Sequence, residues 1–152
     1  MSKLTRTALL VAVTAIVTMA VNIPLPHVHG YINMGDAVIL AAGLLFGPVT
    51  GAVVGGLGSF LADILLGYAY WAPWTLIIKG LEGFVAGRLA GKPALGVSLG
   101  SGTMVLGYFA AGSIIYGVGP ALAQLPFDAL QGVVGSAAAM AIAVALRRHV
   151  ES

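Results

Sequence analysis

The chain has 152 residues, 59% hydrophobic and 8% charged, with a mean hydropathy of +1.02. A soluble domain carries about 25% charged residues, so this composition describes an integral membrane protein with little outside the bilayer. The net charge of +2 is too small to attract nucleic acid, and the lack of cysteine rules out disulfides, thiolate metal sites and cysteine nucleophiles.

A membrane span needs about 20 mostly apolar residues. The first runs from about 4 to 23. Lys3 and Arg6 at its start, and the Thr18-Met-Ala20 triplet within it, superficially imitate a secretory signal. More apolar sequence follows rather than a polar mature domain, so the run reads as a first span. Pro24, Pro26, His27, His29 and Gly30 make the next segment, 24–33, a loop. The apolar stretch after it is too long for one span. Gly47-Pro48 divides it, because proline lacks a donor and disfavours helix at the residue before it. The result is a short helix at 35–46 and a longer one at 48–66. An aromatic loop follows, and Pro73 opens a fourth helix, 73–90. Gly91-Lys-Pro93 turns the chain into a fifth helix, 95–116. Residues 117–126, with two prolines, read as a loop, and a sixth helix covers 127–146.

The expected fold is an all-α membrane protein: a single domain, 1–152, forming a compact six-transmembrane-helix bundle. With six spans, Lys3, Arg6, Arg88, Lys92, Arg147 and Arg148 all fall on one face. The positive-inside rule makes that face, and both termini, cytoplasmic.

Lys79 is the one remaining basic residue, and it lies with Glu82 inside the apolar fourth helix. An ionised group at mid-membrane costs at least ~2.5–3.5 kcal/mol. Counted from the outer start of that helix, Lys79 lies ~9 Å and Glu82 ~13 Å in. Asp36, Asp63 and Asp128 also fall in the outer half, near Tyr31, Asn33, Tyr68, Tyr70, Trp71, Trp74, Tyr116 and Gln124. The inner half is almost wholly Ala, Gly, Val, Leu and Ile. This pattern predicts an outward-facing polar pocket closed below.

Each feature has a simpler reading beside the functional one. Tyr68, Tyr70, Trp71 and Trp74 suit an outer aromatic belt. His27 and His29 have spacing that could serve a metal, but loop histidines usually face water; no metal site or cofactor is expected. Asp36 fits a helix start, where the dipole favours negative charge. Asp63 ends a Gly51-Gly55-Ser59-Asp63 stripe that would let helices pack closely, and this packing role is slightly favoured. Lys79 and Glu82 could form a purely structural i, i+3 bridge; the cost of burying both favours a ligand-facing role. Gln124, Asp128, Gln131 and Gly135 share one face of the sixth helix, as Tyr108, Gly112 and Tyr116 do on the fifth. Aromatic rings with a few charges suit a flat, polar, ring-containing ligand. On the first helix, Ala8 and Ala12 at i+4 make a smooth face, either for internal packing or for a partner membrane protein.

Catalytic motifs are missing. Asn33-Met-Gly-Asp36 fails the Gly-x-Gly-Asp turn of intramembrane aspartyl proteases at the first glycine. Gly56-Leu-Gly-Ser59 is not the Gly-x-Ser-Gly of rhomboid-type proteases, and no Gly-x-x-x-x-Gly-Lys-Ser/Thr loop exists. The chain is not expected to be an enzyme.

Tyr31-Ile-Asn-Met-Gly-Asp36, Phe60-Leu-Ala-Asp-Ile-Leu-Leu-Gly-Tyr68 and Ala72-Pro-Trp-Thr-Leu-Ile-Ile-Lys-Gly-Leu-Glu-Gly83 resemble the substrate-binding S components of energy-coupling factor (ECF) transporters, closest to the riboflavin-transporter-like group. The resemblance implies a prokaryotic plasma-membrane subunit that captures a water-soluble vitamin or precursor from outside. The ligand could be riboflavin-, pyridoxine- or pyrimidine-like. The loop after the first helix would act as a lid. Ala8 and Ala12 would dock on a membrane coupling protein carrying two ATPase subunits, and the subunit would topple to deliver its cargo. Lys79 and Glu82 become expected ligand contacts, with Asn33, Trp74, Tyr108, Tyr116, Asp128 and Gln131 as further candidates. Two alternatives are a structural or assembly protein braced by its charge pair, and a standalone proton-coupled carrier relaying through Glu82 or Asp63.

Overall fold

The computed structural model describes residues 1–25 and 30–151. Their helices are α1 (Lys3–Ala20), α2 (Gly35–Phe46), α3 (Pro48–Leu66), α4 (Ala72–Arg88), α5 (Pro93–Tyr116) and α6 (Val118–Glu151). Two short strands, β1 (Ile23–Pro24) and β2 (Tyr31–Ile32), lie between α1 and α2. The architecture is all-α, and α1, α3, α5 and α6 are long and apolar enough to cross a membrane. With 12 and 17 residues, α2 and α4 are shorter, about 18 and 26 Å at the helical rise.

Local chemistry explains the boundaries. Ser2 caps α1 by accepting the Thr5 N–H. Gly67, with φ 90°, ends α3 in the left-handed region. Two of the differences from the boundaries read in the sequence bear on the site. First, α1 stops at Ala20 because Ile23 and Pro24 leave the helix to pair antiparallel with Ile32 and Tyr31. Second, the expected loop at 117–126 is helical. Gly117, with φ 97°, makes the whole reversal, and Pro120 sits in the first turn, where backbone N–H groups have no intrahelical acceptor anyway. Pro126 is tolerated inside α6 and removes one helical hydrogen bond there.

Helix α2 is the hub and touches all five of the other helices. Ile39 and Leu40 on it are fully buried. Around it, α3 and α4 cross backbone to backbone. A Cβ on Gly83 would overlap the Gly51 carbonyl, and one on Gly55 would overlap the carbonyl of Lys79. The glycine stripe therefore seats α4 deeply against α3 and fixes where Lys79 begins its reach.

At one end of the bundle Leu40, Ala41, Leu44, Ala86, Val97, Ala139 and Ala143 form a closed apolar cluster. The Arg6 guanidinium lies 4.1 Å from the Phe46 ring centre, and Arg147 donates to the Leu44 carbonyl at 3.4 Å. The start of α1 and the end of α6 thus meet at the end of α2.

Candidate functional site

The opposite end holds a cavity of about 480 Å³, counting space open to the outside. Its walls come from the end of α1 (Thr18), the loop before α2 (Gly30, Tyr31, Asn33), the end of α3 (Ser59, Asp63) and Tyr68 beyond it. Trp71, which caps α4, enters with Thr75 and Lys79 of that helix, Tyr108 from α5, and Gln124, Asp128 and Gln131 from α6. These lining residues come from widely separated stretches of the chain, which only the bundle brings together.

At the base of the cavity lies a buried ionic group. The Lys79 ammonium forms an ion pair with Asp36, and Glu82 Oε2 lies 3.1 Å from the same nitrogen. Asp36 and Glu82 are fully buried and Lys79 is 2% exposed. Gln131 Nε2 donates to the second Asp36 oxygen at 2.8 Å, and Gln131 Oε1 accepts the Asn33 N–H at 3.1 Å. Asn33 Oδ1 in turn accepts the Gly35 N–H at 2.9 Å. Gly135 makes this assembly possible, because a Cβ there would stand 2.7 Å from the Asp36 Cβ. One network therefore joins the loop before α2 to α2, α4 and α6.

The upper walls are aromatic and acidic. Tyr31 donates to Asp63 Oδ1 at 2.6 Å and its ring lies 4.9 Å from that of Tyr68. Burial, and then the Asp63 carboxylate, push the Tyr31 hydroxyl pKa well up, so it remains a donor. Trp71 meets Tyr108 edge-on at 5.6 Å, and the Tyr108 hydroxyl hydrogen-bonds Thr75 at 2.9 Å. Across the cavity, Gln124 donates to Asp128 Oδ2 at 3.2 Å. The helical start of α6 sets this contact, since it holds Gln124 and Asp128 one turn apart.

The sequence candidates divide clearly. Lys79, Asn33, Tyr108, Asp128 and Gln131 line the cavity. Glu82 lies behind Lys79 and outside the lining. Trp74 is 36% exposed on the outer side of α4, and Trp71 faces the cavity in its place. Tyr116 packs 6.0 Å from Trp71 without reaching the lining. Asp36, read as a helix-start residue, is the ion-pair partner of Lys79, and Asp63 reaches the cavity as well as ending the packing stripe. Thr18 and Thr75 had no signal beyond being small hydroxyls in apolar helices, and Ser59 was legible only as part of the packing stripe that Asp63 ends. Ala8 and Ala12 are exposed on α1, which packs only on α2 and α3 among the described residues. His27 and His29 lie outside the described residues.

Comparison with known proteins gives a consistent picture. The family model for the S component of ECF-type riboflavin transporters matches residues 1–148. The "Uncharacterized protein in gap 3'region" of Pyrococcus woesei is 44% identical over 126 residues, covering 79% of this chain and 84% of that protein. The thiamine precursor transporter HmpT of Lactococcus lactis subsp. cremoris is 34% identical over 147 residues, covering 96% of this chain and 88% of that one. A UPF0397 protein of Streptococcus pneumoniae is 39% identical over 67 residues, 44% of this chain and 36% of its own length.

Proposed function

The chain belongs to the family of S components of ECF-type riboflavin transporters, and from that premise we propose that it is the substrate-capture subunit of an ATP-driven uptake system for a water-soluble vitamin or vitamin precursor. The observation that carries the reading is the cavity itself. It is a buried, aromatic and charged recess at one end of an apolar bundle whose other end is closed. Membrane proteins place ionisable groups at such depth where they serve a substrate or ion path. The relation to a thiamine precursor transporter supports a vitamin precursor as cargo.

In this reading all six helices cross the bilayer of a prokaryotic plasma membrane, with α2 and α4 spanning thinly. The six basic residues other than Lys79 face the cytoplasm, so both termini are cytoplasmic and the cavity opens outward. Asn33, Tyr108, Asp128 and Gln131 touch the ligand. Lys79 offers it one edge while bracing Asp36, and Glu82 acts through Lys79. The exposed Ala8–Ala12 face of α1 docks on the coupling protein, which brings the two ATPase subunits. The hydrogen bond from Tyr31 to Asp63 ties β2 to the cavity wall.

Uptake into proteoliposomes tests the proposal. The chain alone should carry no vitamin inward, and adding the coupling protein, its ATPases and ATP should start uptake. Uptake that persists without any ATPase would instead make the chain a standalone carrier.

A further inference from the structure

The end of the bundle away from the cavity carries a cleft. Helices α1 and α6 make no contact with each other among the described residues, and α2 lies between them. Both nevertheless reach the end of α2 with an arginine. The Arg6 guanidinium of α1 lies over the Phe46 ring, and Arg147 of α6 donates to the Leu44 carbonyl. The floor between them is open, since a Cβ on Gly47, the next residue after α2, would meet nothing within 4 Å.

The positive charge here exceeds what the fold uses. A helix C-terminus offers about half a negative charge, and two guanidiniums converge on this one. Arg147 gives it a single long hydrogen bond, at 3.4 Å. Arg6 gives it none, and its Nε is buried without a hydrogen-bond partner. The Phe46 ring attracts the cation without accepting its in-plane N–H groups. A buried donor left unpaired is costly. Lys3 and Arg148 lie close by in sequence, with the carboxylate of Glu151 alone to offset them, because Asp36, Asp63, Glu82 and Asp128 belong to the cavity end.

We propose that this cleft binds the phosphate of an anionic phospholipid, gripped between Arg6 and Arg147. Their planar forks of N–H donors match phosphate oxygens. The flanking surface suits the acyl chains. Leu9, one turn along α1 from Arg6, is 53% exposed, and Leu146, beside Arg147, is 47% exposed. In the orientation proposed above this end faces the cytoplasm, where basic recesses between membrane helices recruit such headgroups. The site rests on the membrane placement of the bundle and not on what the cavity captures.

The test is native mass spectrometry of the purified protein in detergent, titrated with dioleoylphosphatidylglycerol, dioleoylphosphatidylcholine or glycerol 3-phosphate. Phosphatidylglycerol should bind at least about fivefold more tightly than phosphatidylcholine. Glycerol 3-phosphate, which lacks the chains, should not be retained. Arg6→Gln and Arg147→Gln should each weaken phosphatidylglycerol about fivefold, the worth of one basic residue at a lipid surface. Lys92→Gln, at the cap of α5 and outside the cleft, should stay within about twofold. Arg147 is exposed, so its variant decides the question even where Arg6→Gln fails to fold. Equal binding of the two lipids, or a Lys92→Gln loss as large as the arginine losses, would reduce the effect to surface charge and overturn the proposal. Glycerol 3-phosphate held as tightly as the lipid would overturn it in favour of a soluble phosphate. Phosphatidylglycerol binding that survives both arginine variants would overturn it as well, and loss of coupling-protein docking in those variants would then give the face to that partner. Each of these results leaves vitamin capture standing.

Discussion

The buried ionic group at the base of the cavity makes an ordered prediction for three substitutions. Lys79→Met removes, among the described residues, the one cation paired with two fully buried carboxylates. Breaking a single buried pair by deleting one partner costs about 3–5 kcal/mol. Because two carboxylates lose their counter-ion together, the expected cost is at the upper end, about 5 kcal/mol. At roughly 2–4 °C per kcal/mol for a chain of this size, Tm should fall by about 10–20 °C. Asp36→Asn leaves Lys79 its contact with Glu82 and should cost about 3 kcal/mol. Glu82→Gln keeps the bond from Lys79 to Asp36 and the Gln131 brace, and it removes a surplus negative charge. Its expected cost is under about 1 kcal/mol. Thermal unfolding in detergent, followed by circular dichroism, reads all three. A Glu82→Gln protein as unstable as Lys79→Met, or a Lys79→Met protein that melts normally, would refute the reasoning.

The crossing of α3 and α4 predicts that Gly83→Ala costs about 1–3 kcal/mol, because its methyl has only the Gly51 backbone to displace. Gly80→Ala on the same helix meets its nearest neighbour at an ordinary 3.5 Å and should leave Tm unchanged or slightly raised. Tyr31→Phe removes a donor to a carboxylate, worth about 1.5–3 kcal/mol, and should speed ligand release, measured by stopped-flow fluorescence. The Tyr31 pKa is raised in the folded protein, so the stability from its hydrogen bond is present below the ordinary tyrosine value of about 10 and is lost only as pH rises through the higher folded one. The Tm difference between wild type and Tyr31→Phe should therefore be flat from about pH 6 to 9; a difference that collapses near neutrality would contradict that assignment.

How far the sequence spoke depended on whether the signal was local. Lys79 was conspicuous because a lone cation in an apolar helix needs a reason. Its closest partner, Asp36, is 43 residues away and looked like a helix-start residue; only the packing of α2 against α4 joins them. Trp71 was lost through one boundary. With α4 begun at Pro73, Trp71 falls in the loop. With α4 begun at Ala72 and Trp71 capping it in helical backbone conformation, Trp71, Thr75 and Lys79 line up at i+4 on the cavity face, while Trp74 turns outward. The prolines at 120 and 126 misled in the same way. Proline is costly in a helix interior but harmless in the first turn, and the positive φ of Gly117 made a longer loop unnecessary. The polar stripe Gln124-Asp128-Gln131-Gly135 was legible, because side chains three and four apart share a helix face whatever the tertiary fold. What it faces was not, since that depends on Gly135 admitting Asp36.

The central claim is that the acidic, aromatic cavity captures a small water-soluble vitamin or precursor. Mass spectrometry of small molecules released from the gently purified protein addresses it most directly. The account predicts a ring-containing vitamin-class compound in near-stoichiometric amount, retained by Glu82→Gln and lost from Asp128→Asn. Release of lipid alone, from protein that is folded by its melting transition, would contradict it.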